Sequence, residues 1–128
     1  MADSSRSDGG RGLPRARRIA HSAEIRAIFS RGKRSGTASL DVFDSPSPAP
    51  HPRVGVVVPK HRHRIVERNR LKRRLREVLR LEVLPRLDAA QLPVDVLVRA
   101  RPEAYGATYE TLRDELVRYV ERRWSRGS

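Results

Sequence analysis

Residues 60–80, KHRHRIVERNRLKRRLREVLR, constrain this chain more than any other stretch. Leu71, Leu75, Val78 and Leu79 recur at i, i+4, i+7 and i+8, the spacing of one apolar stripe on a helix. At about 100° per residue, Asn69, Arg73, Arg76 and Arg80 fall opposite that stripe. Arg68 and Lys72 flank it on one side, Arg70 and Arg74 on the other. The helix is therefore pinned to a core by its leucines while several basic rows face outward. Ten Lys or Arg stand against two Glu, so +8 of the formal +13 charge sits in this one stretch. A solvated helix face ordinarily mixes its signs, whereas like charges at i,i+4 repel by roughly a few tenths of a kcal/mol each. Such crowding is tolerable where a phosphate-rich partner neutralises it.

The rest of the composition narrows the partner. At 128 residues the chain reads as one domain, residues 14–124, between a disordered tail at 1–13 and a short tail at 125–128. There is no Cys, which excludes disulfides and Cys-based zinc sites and is compatible with a reducing cytosol. No apolar run approaches a membrane span, and the first residues lack the apolar segment of a secretory signal. A strongly basic chain suits nucleic acid or an anionic membrane. A membrane-surface helix would have no other core to serve, and here the remaining chain supplies one. Nucleic acid is the expected partner and the cytoplasm the expected compartment, with no membrane association and no obligate protein partner.

Taken in order, Ser22 is the expected N-cap of a short helix whose Ile25, Ile28 and Phe29 form one face and which Gly32 ends. After a basic turn at Arg31, Lys33 and Arg34, residues 39–43 alternate as a strand, Leu40 and Val42 to one side, Asp41 and Phe43 to the other. The proline-rich run at 45–52 reads as a loop joining two antiparallel strands. Val54–Val58 is a buried strand, and the basic helix follows it and ends near Leu84, before Pro85. Residues 88–93 are a loop. Val94, Val96 and Val98 alternate with Asp95, Leu97 and Arg99 in a last strand. Thr108 caps a final helix with Leu112, Leu116, Tyr119, Val120 and Trp124 inward. The order is that of an α/β domain with one mostly antiparallel sheet, and a parallel pair where the basic helix joins the strands around Val56 and Val96. Base rates favour a right-handed hand for that crossover.

No protein-borne catalytic centre stands out. The carboxylates are scattered singly, and the serines lie in tails and loops without a triad context. His61 and His63 form an HxH pair, but Lys60, Arg62 and Arg64 oppose a cation there and no nearby acid completes a ligand set. The two histidines are read as polar loop residues, so neither catalytic nor metal-ligating residues are assigned. Phe43 supports two readings equally: ordinary core beneath the first helix, or a cleft platform on which an unpaired base stacks, worth roughly 1–3 kcal/mol. Phe29 is read as core or as the rim of that cleft.

At residues 68–77, RNRLKRRLRE, the sequence resembles the bacterial ribonuclease P protein family, whose signature is an Arg-Asn-Arg helix followed by spaced basic residues. The likeness covers residues 14–123. It includes the short helix with Phe29, the strand with Phe43, VGVVVPK at 54–60, VDVLVRARP at 94–102 and the capped last helix. The resemblance implies an α+β sandwich in the order αβββαβα with a left-handed βαβ crossover, against the base rate. It implies a subunit that binds a catalytic RNA and the 5′ leader of precursor tRNA, assisting Mg²⁺-dependent hydrolysis in which the ion is held mainly by RNA. Carried over by position, Arg68, Asn69, Arg70, Lys72, Arg73, Arg76, Lys60 and Arg62 are the RNA-binding set. Ile25, Phe29, Phe43, Val56 and Lys60 are the leader cleft. Ile25 stands where the family often has an aromatic residue, and His63-Arg64-Ile65-Val66 where it commonly has Gly-Asn-Ala-Val.

Two other classes of function remain to be weighed. An autonomous protein nuclease would need converging carboxylates, and the dispersed acids oppose it. A ribosomal or DNA-binding structural protein would need a recognition helix free on one whole side, with dimer symmetry or a paired helix.

Overall fold

The computed structural model describes residues 12–60 and 62–124. The two expected tails, up to residue 11 and from 125, and His61 lie outside these residues. Leu13, assigned to the tail on sequence, packs against the core.

Helix α1 spans Ser22–Arg31, followed by strands β1 (Lys33–Gly36), β2 (Leu40–Pro46) and β3 (Arg53–Val57). Helix α2 (Ile65–Val78) is the basic helix. It passes through a π turn at Leu79–Val83 into α3 (Leu84–Ala89). Strand β4 (Val94–Ala100) and helix α4 (Tyr109–Trp124) complete the domain. The sheet order is β1-β2-β4-β3, with β1·β2 and β2·β4 antiparallel and β3·β4 parallel. This is the mixed α+β sheet expected, with the parallel pair at Val54↔Val96 and Val56↔Val98.

Strand alternation sorts the sheet into two faces. Leu40, Val42, Val54, Val96 and Val98 bury one face under Leu71, Leu75 and Val78 of α2 and Leu112, Leu116 and Tyr119 of α4. Phe43 and Leu97 point to the other face and meet Ile19 and Ile28 under α1. The leucine stripe of the basic helix is therefore its docking surface: Leu71 is 2% exposed and Leu75 is fully buried. Gly55 permits the close approach of the segment before α1. A Cβ there would stand 3.0 Å from both Cβ and the carbonyl oxygen of Ile19, whose N–H donates to the Val54 carbonyl at 2.9 Å.

Several boundaries differ from the sequence expectation. The basic turn is in part a strand, β1, whose KRSG has no apolar alternation to betray it; it exists because β2 offers a ladder, and its cations protect a sheet edge. The loop at 47–52 joins strands that are not neighbours, because β4 inserts between β2 and β3. Pro85 does not stop the helix. The π turn widens the preceding backbone and Pro85 falls in the first turn of α3, where its missing N–H leaves no hydrogen bond unmade. Helical backbone consequently runs on to Ala89. Ser22 is already helical, with His21 at the cap and no capping side-chain bond. Thr108 does cap α4, its Oγ1 accepting from the Thr111 N–H at 3.1 Å.

Candidate nucleic-acid interface

Helix α2 begins where Arg64 N–H donates to Glu67 Oε1 at 3.0 Å. That backbone bond, and after it the ring of His63 at 3.1 Å, hold the Glu67 carboxyl below its ordinary pKa. His63 also stacks on Tyr105, ring centroids 3.6 Å apart and 9° from parallel. The ring is thus occupied by Glu67 and Tyr105, and no three His, Cys, Asp or Glu converge among the described residues. Arg62 has a left-handed φ of 66° in the turn closed by His63 N–H donating to the Lys60 carbonyl at 2.8 Å.

Past this turn the outward rows of α2 separate by role. Asn69, Arg70, Arg73 and Arg76 are exposed and Lys72 half-buried, and among the described residues none of these side chains makes a hydrogen bond or ion pair. Lys60, Arg62 and Arg64 continue the same exposed, unpaired cationic surface ahead of the helix. Arg68, by contrast, turns partly inward, its Nη2 donating to the Val58 carbonyl at 3.2 Å while its buried Nε has no partner. Arg74 donates to the Ala107 carbonyl at 3.0 Å and braces α2 against the segment before α4, while Arg80 is neutralised by Glu77 one turn back at 2.6 Å. Partial desolvation, then the like charge of Arg18, lowers the pKa of Arg76. Arg18 itself bridges to Val54 at the open edge of β3. Two guanidiniums from separate elements thus crowd one edge, neither in an ion pair among the described residues, an arrangement that attracts a polyanion.

The buried acids are committed elsewhere. Asp95 binds Arg53 through both oxygens, at 2.9 and 2.7 Å. Asp44 accepts from the Tyr119 hydroxyl at 2.5 Å and from Arg123 at 3.0 and 3.1 Å. Burial and this hydrogen bond raise the Tyr119 pKa far above its ordinary value. Glu115 accepts from Ser39 N–H and Oγ and from Thr37 Oγ1. Asp41 takes Arg99, Arg101 and Arg34. Burial alone would raise the Asp41 pKa, but hydrogen bonds from those three arginines outweigh it and bring it from 3.8 to about 2. The folded-state pKa is depressed, so its stabilisation is present above pH 3.8 and is lost as pH falls toward 2. Asp41→Asn is expected to remove about 2 kcal/mol of acid-dependent stability, seen as a flatter unfolding free energy between pH 5 and roughly pH 2.

The expected cleft residues divide between the two faces of the sheet. Ile25 and Phe29 on α1 pack with Phe43, Leu97 and Val57. Phe29 and Phe43 meet edge to face at 4.9 Å and 72°. Phe43 is only 4% exposed, so of its two readings the structure selects the core, with half-buried Phe29 at the rim. Val56 packs on the α2 face, away from these rings, and its neighbour Val57 holds the place on the α1 face. Lys60 is exposed just beyond β3. Arg99 was not among the expected site residues. It lies over both phenyl rings, 5.1 and 5.2 Å from their centroids, and is tied to Asp41 at 3.0 Å. Its place after Asp95 and Leu97 in the β4 alternation already put it on the Phe43 face. Arg18 had no comparable signal, because only tertiary pairing sets it beside Arg76.

A mixed α+β sheet that carries a row of cations without protein partners along one edge, and a packed pair of phenyl rings under Arg99 on its other face, defines a protein whose exposed surface suits a nucleic-acid polyanion. The family profile described as Ribonuclease P matches residues 13–123. The ribonuclease P protein component of Micrococcus luteus is 44% identical over 115 residues, covering 82% of this chain and 86% of that one. That of Methylococcus capsulatus is 35% identical over 117 residues, covering 90% and 84%. The solved structure of Staphylococcus aureus RNase P protein superposes with a TM-score of 0.71 at 25% identity, covering 87% of this chain and 97% of that chain. This chain belongs to the ribonuclease P protein family, and its work is that of a protein subunit in this tRNA-processing endoribonuclease.

Proposed function

We propose that the chain acts by charge neutralisation and substrate grip within ribonuclease P, while the hydrolysis and its Mg²⁺ belong to the RNA subunit. The observation that carries this is the row Asn69, Arg70, Lys72, Arg73 and Arg76, held outward by buried leucines and without an ion pair among the described residues. Catalytic RNA and precursor tRNA repel one another, and a subunit that neutralises several phosphates releases counterions and lets them meet. Asn69, Arg70 and Arg73 face the RNA subunit in this reading. Lys72, Arg76, Arg18 and Lys60 line the path of the 5′ leader toward the groove beside α1. There Phe29 and Arg99 offer planar surfaces to unstacked bases, a mode of contact tolerant of leader sequence. The buried carboxylates are already saturated by arginines, hydroxyls and backbone N–H groups, which leaves them unsuited to general-acid, general-base or metal-ligand duty.

Reconstitution tests the reading. With a bacterial ribonuclease P RNA, precursor tRNA and low Mg²⁺, added protein is expected to stimulate 5′ cleavage, and the protein without RNA is expected to cleave nothing. Cleavage by the protein alone, abolished by replacing a single Asp or Glu, would show an autonomous nuclease instead.

A further inference from the structure

The edge of the sheet opposite α2 carries a second convergence of cations. Lys33 and Ser35 of β1 stand across the ladder from Asp44 and Val42, so they share the face on which α4 packs. Together with Tyr119, Arg122 and Arg123 they line a shallow cleft of 190 Å³. Arg123 engages Asp44 through Nε and Nη2, which orients the guanidinium and leaves Nη1 unengaged. Asp44, the carboxylate that Arg123 holds, is 5% exposed and already satisfied by Arg123 and the Tyr119 hydroxyl. Lys33 and Arg122 are exposed and make no ion pair among the described residues, and exposed Arg118 extends the row one helical turn back. Cations in the last turn of a helix complement its dipole, which accounts for Arg122 and Arg123. It does not account for Lys33, which arrives from a different element and adds like charge to the same cleft.

We propose that the cleft among Lys33, Ser35, Arg122 and Arg123 is a second phosphodiester-binding site, through which the protein holds an RNA segment other than the one lying on α2. The chemistry fits: two free cations, an oriented guanidinium and a hydroxyl donor surround a space that admits a phosphodiester group, with no carboxylate among its lining residues. β1 and β3 are opposite edges of the sheet and α2 packs along β3, so the two basic surfaces lie at opposite edges of the sheet. The inference rests on the ribonuclease P reading and adds a bridging role to it.

The test is a salt titration of RNA affinity with the full chain, in one arm for a bacterial ribonuclease P RNA and in the other for precursor tRNA binding to the assembled enzyme. Lys33→Gln/Arg122→Gln is expected to lower the slope of log affinity against log salt by about two, one per lost phosphate contact, in one arm. The responding arm identifies which RNA is held. The charge-keeping pair Lys33→Arg/Arg122→Lys is expected to retain the slope, and both variants to melt at the parent temperature because the positions are exposed. Unchanged slopes in both arms would overturn the second site. If Arg73→Gln/Arg76→Gln still lowers the slope in the same titration, only this inference fails; if neither pair lowers it, the α2 reading fails as well.

Discussion

Phe43→Ala is expected to destabilise the domain by about 3–5 kcal/mol, the range for emptying a buried aromatic site. The ring is 4% exposed, meets Phe29 edge to face at 4.9 Å and lies under Arg99. It also fills the floor on which α1 rests, and a ten-residue helix has little stability of its own without that docking. Urea unfolding followed by circular dichroism measures the loss, and Phe29→Ala, at a half-buried rim position, is expected to cost less. Any defect toward long leaders in Phe43→Ala then follows from a displaced α1 wall rather than from a missing stacking partner. An unfolding midpoint equal to the parent's would return Phe43 to the role of surface platform.

Arg73→Gln/Arg76→Gln is expected to weaken RNA binding steeply while leaving the fold intact, Arg73 through the RNA subunit and Arg76 through the leader of precursor tRNA. Neither side chain has a partner within the described protein, and both sit on the exposed side of α2. Removing Arg76 also relieves its repulsion with Arg18, so thermal stability is expected to hold or rise slightly. Affinity measured across a salt series is expected to lose about one from its slope for the RNA subunit and about one for leader-bearing precursor tRNA, and both deficits to shrink as salt rises. The same charge removal at Arg74 and Arg80 is expected to behave differently. Arg74 ties α2 to the Ala107 carbonyl and Arg80 is neutralised by Glu77, so stability falls, chiefly through Arg74, and the RNA salt slope stays. A matching loss of RNA affinity in all four positions would mean that the helix contributes a diffuse charge rather than a face.

The difference between Arg73 and Arg74 marks where sequence reasoning ends. Period alone places both off the leucine stripe, and one residue of rotation separates a free cation from one that ties α2 to the segment before α4. Phe43 shows the same limit. Alternation set it opposite Leu40 and Val42, correctly, but whether the ring was covered depended on α1 crossing that face of the sheet. Val56 was placed with the cleft by likeness to a family motif, while strand parity turns it toward α2 and presents Val57 instead.

The sequence by itself determined that a leucine-anchored basic helix packs on an α+β core, because a 3.6-residue apolar period and a two-residue strand alternation are local properties of the chain. It also pointed to a nucleic-acid partner, since one-signed crowding on a solvent face calls for a polyanion, while RNA in particular came from the family likeness. Only the tertiary structure decided which cations stay free, because pairing depends on carboxylates distant in sequence: Asp41 gathers Arg99 and Arg101, Asp44 takes Arg123, and Asp95 takes Arg53. Helix continuation through Pro85, the polar edge strand β1 and the meeting of Lys33 with Arg122 are likewise products of packing, where neighbours supply hydrogen bonds and contacts that no local pattern encodes.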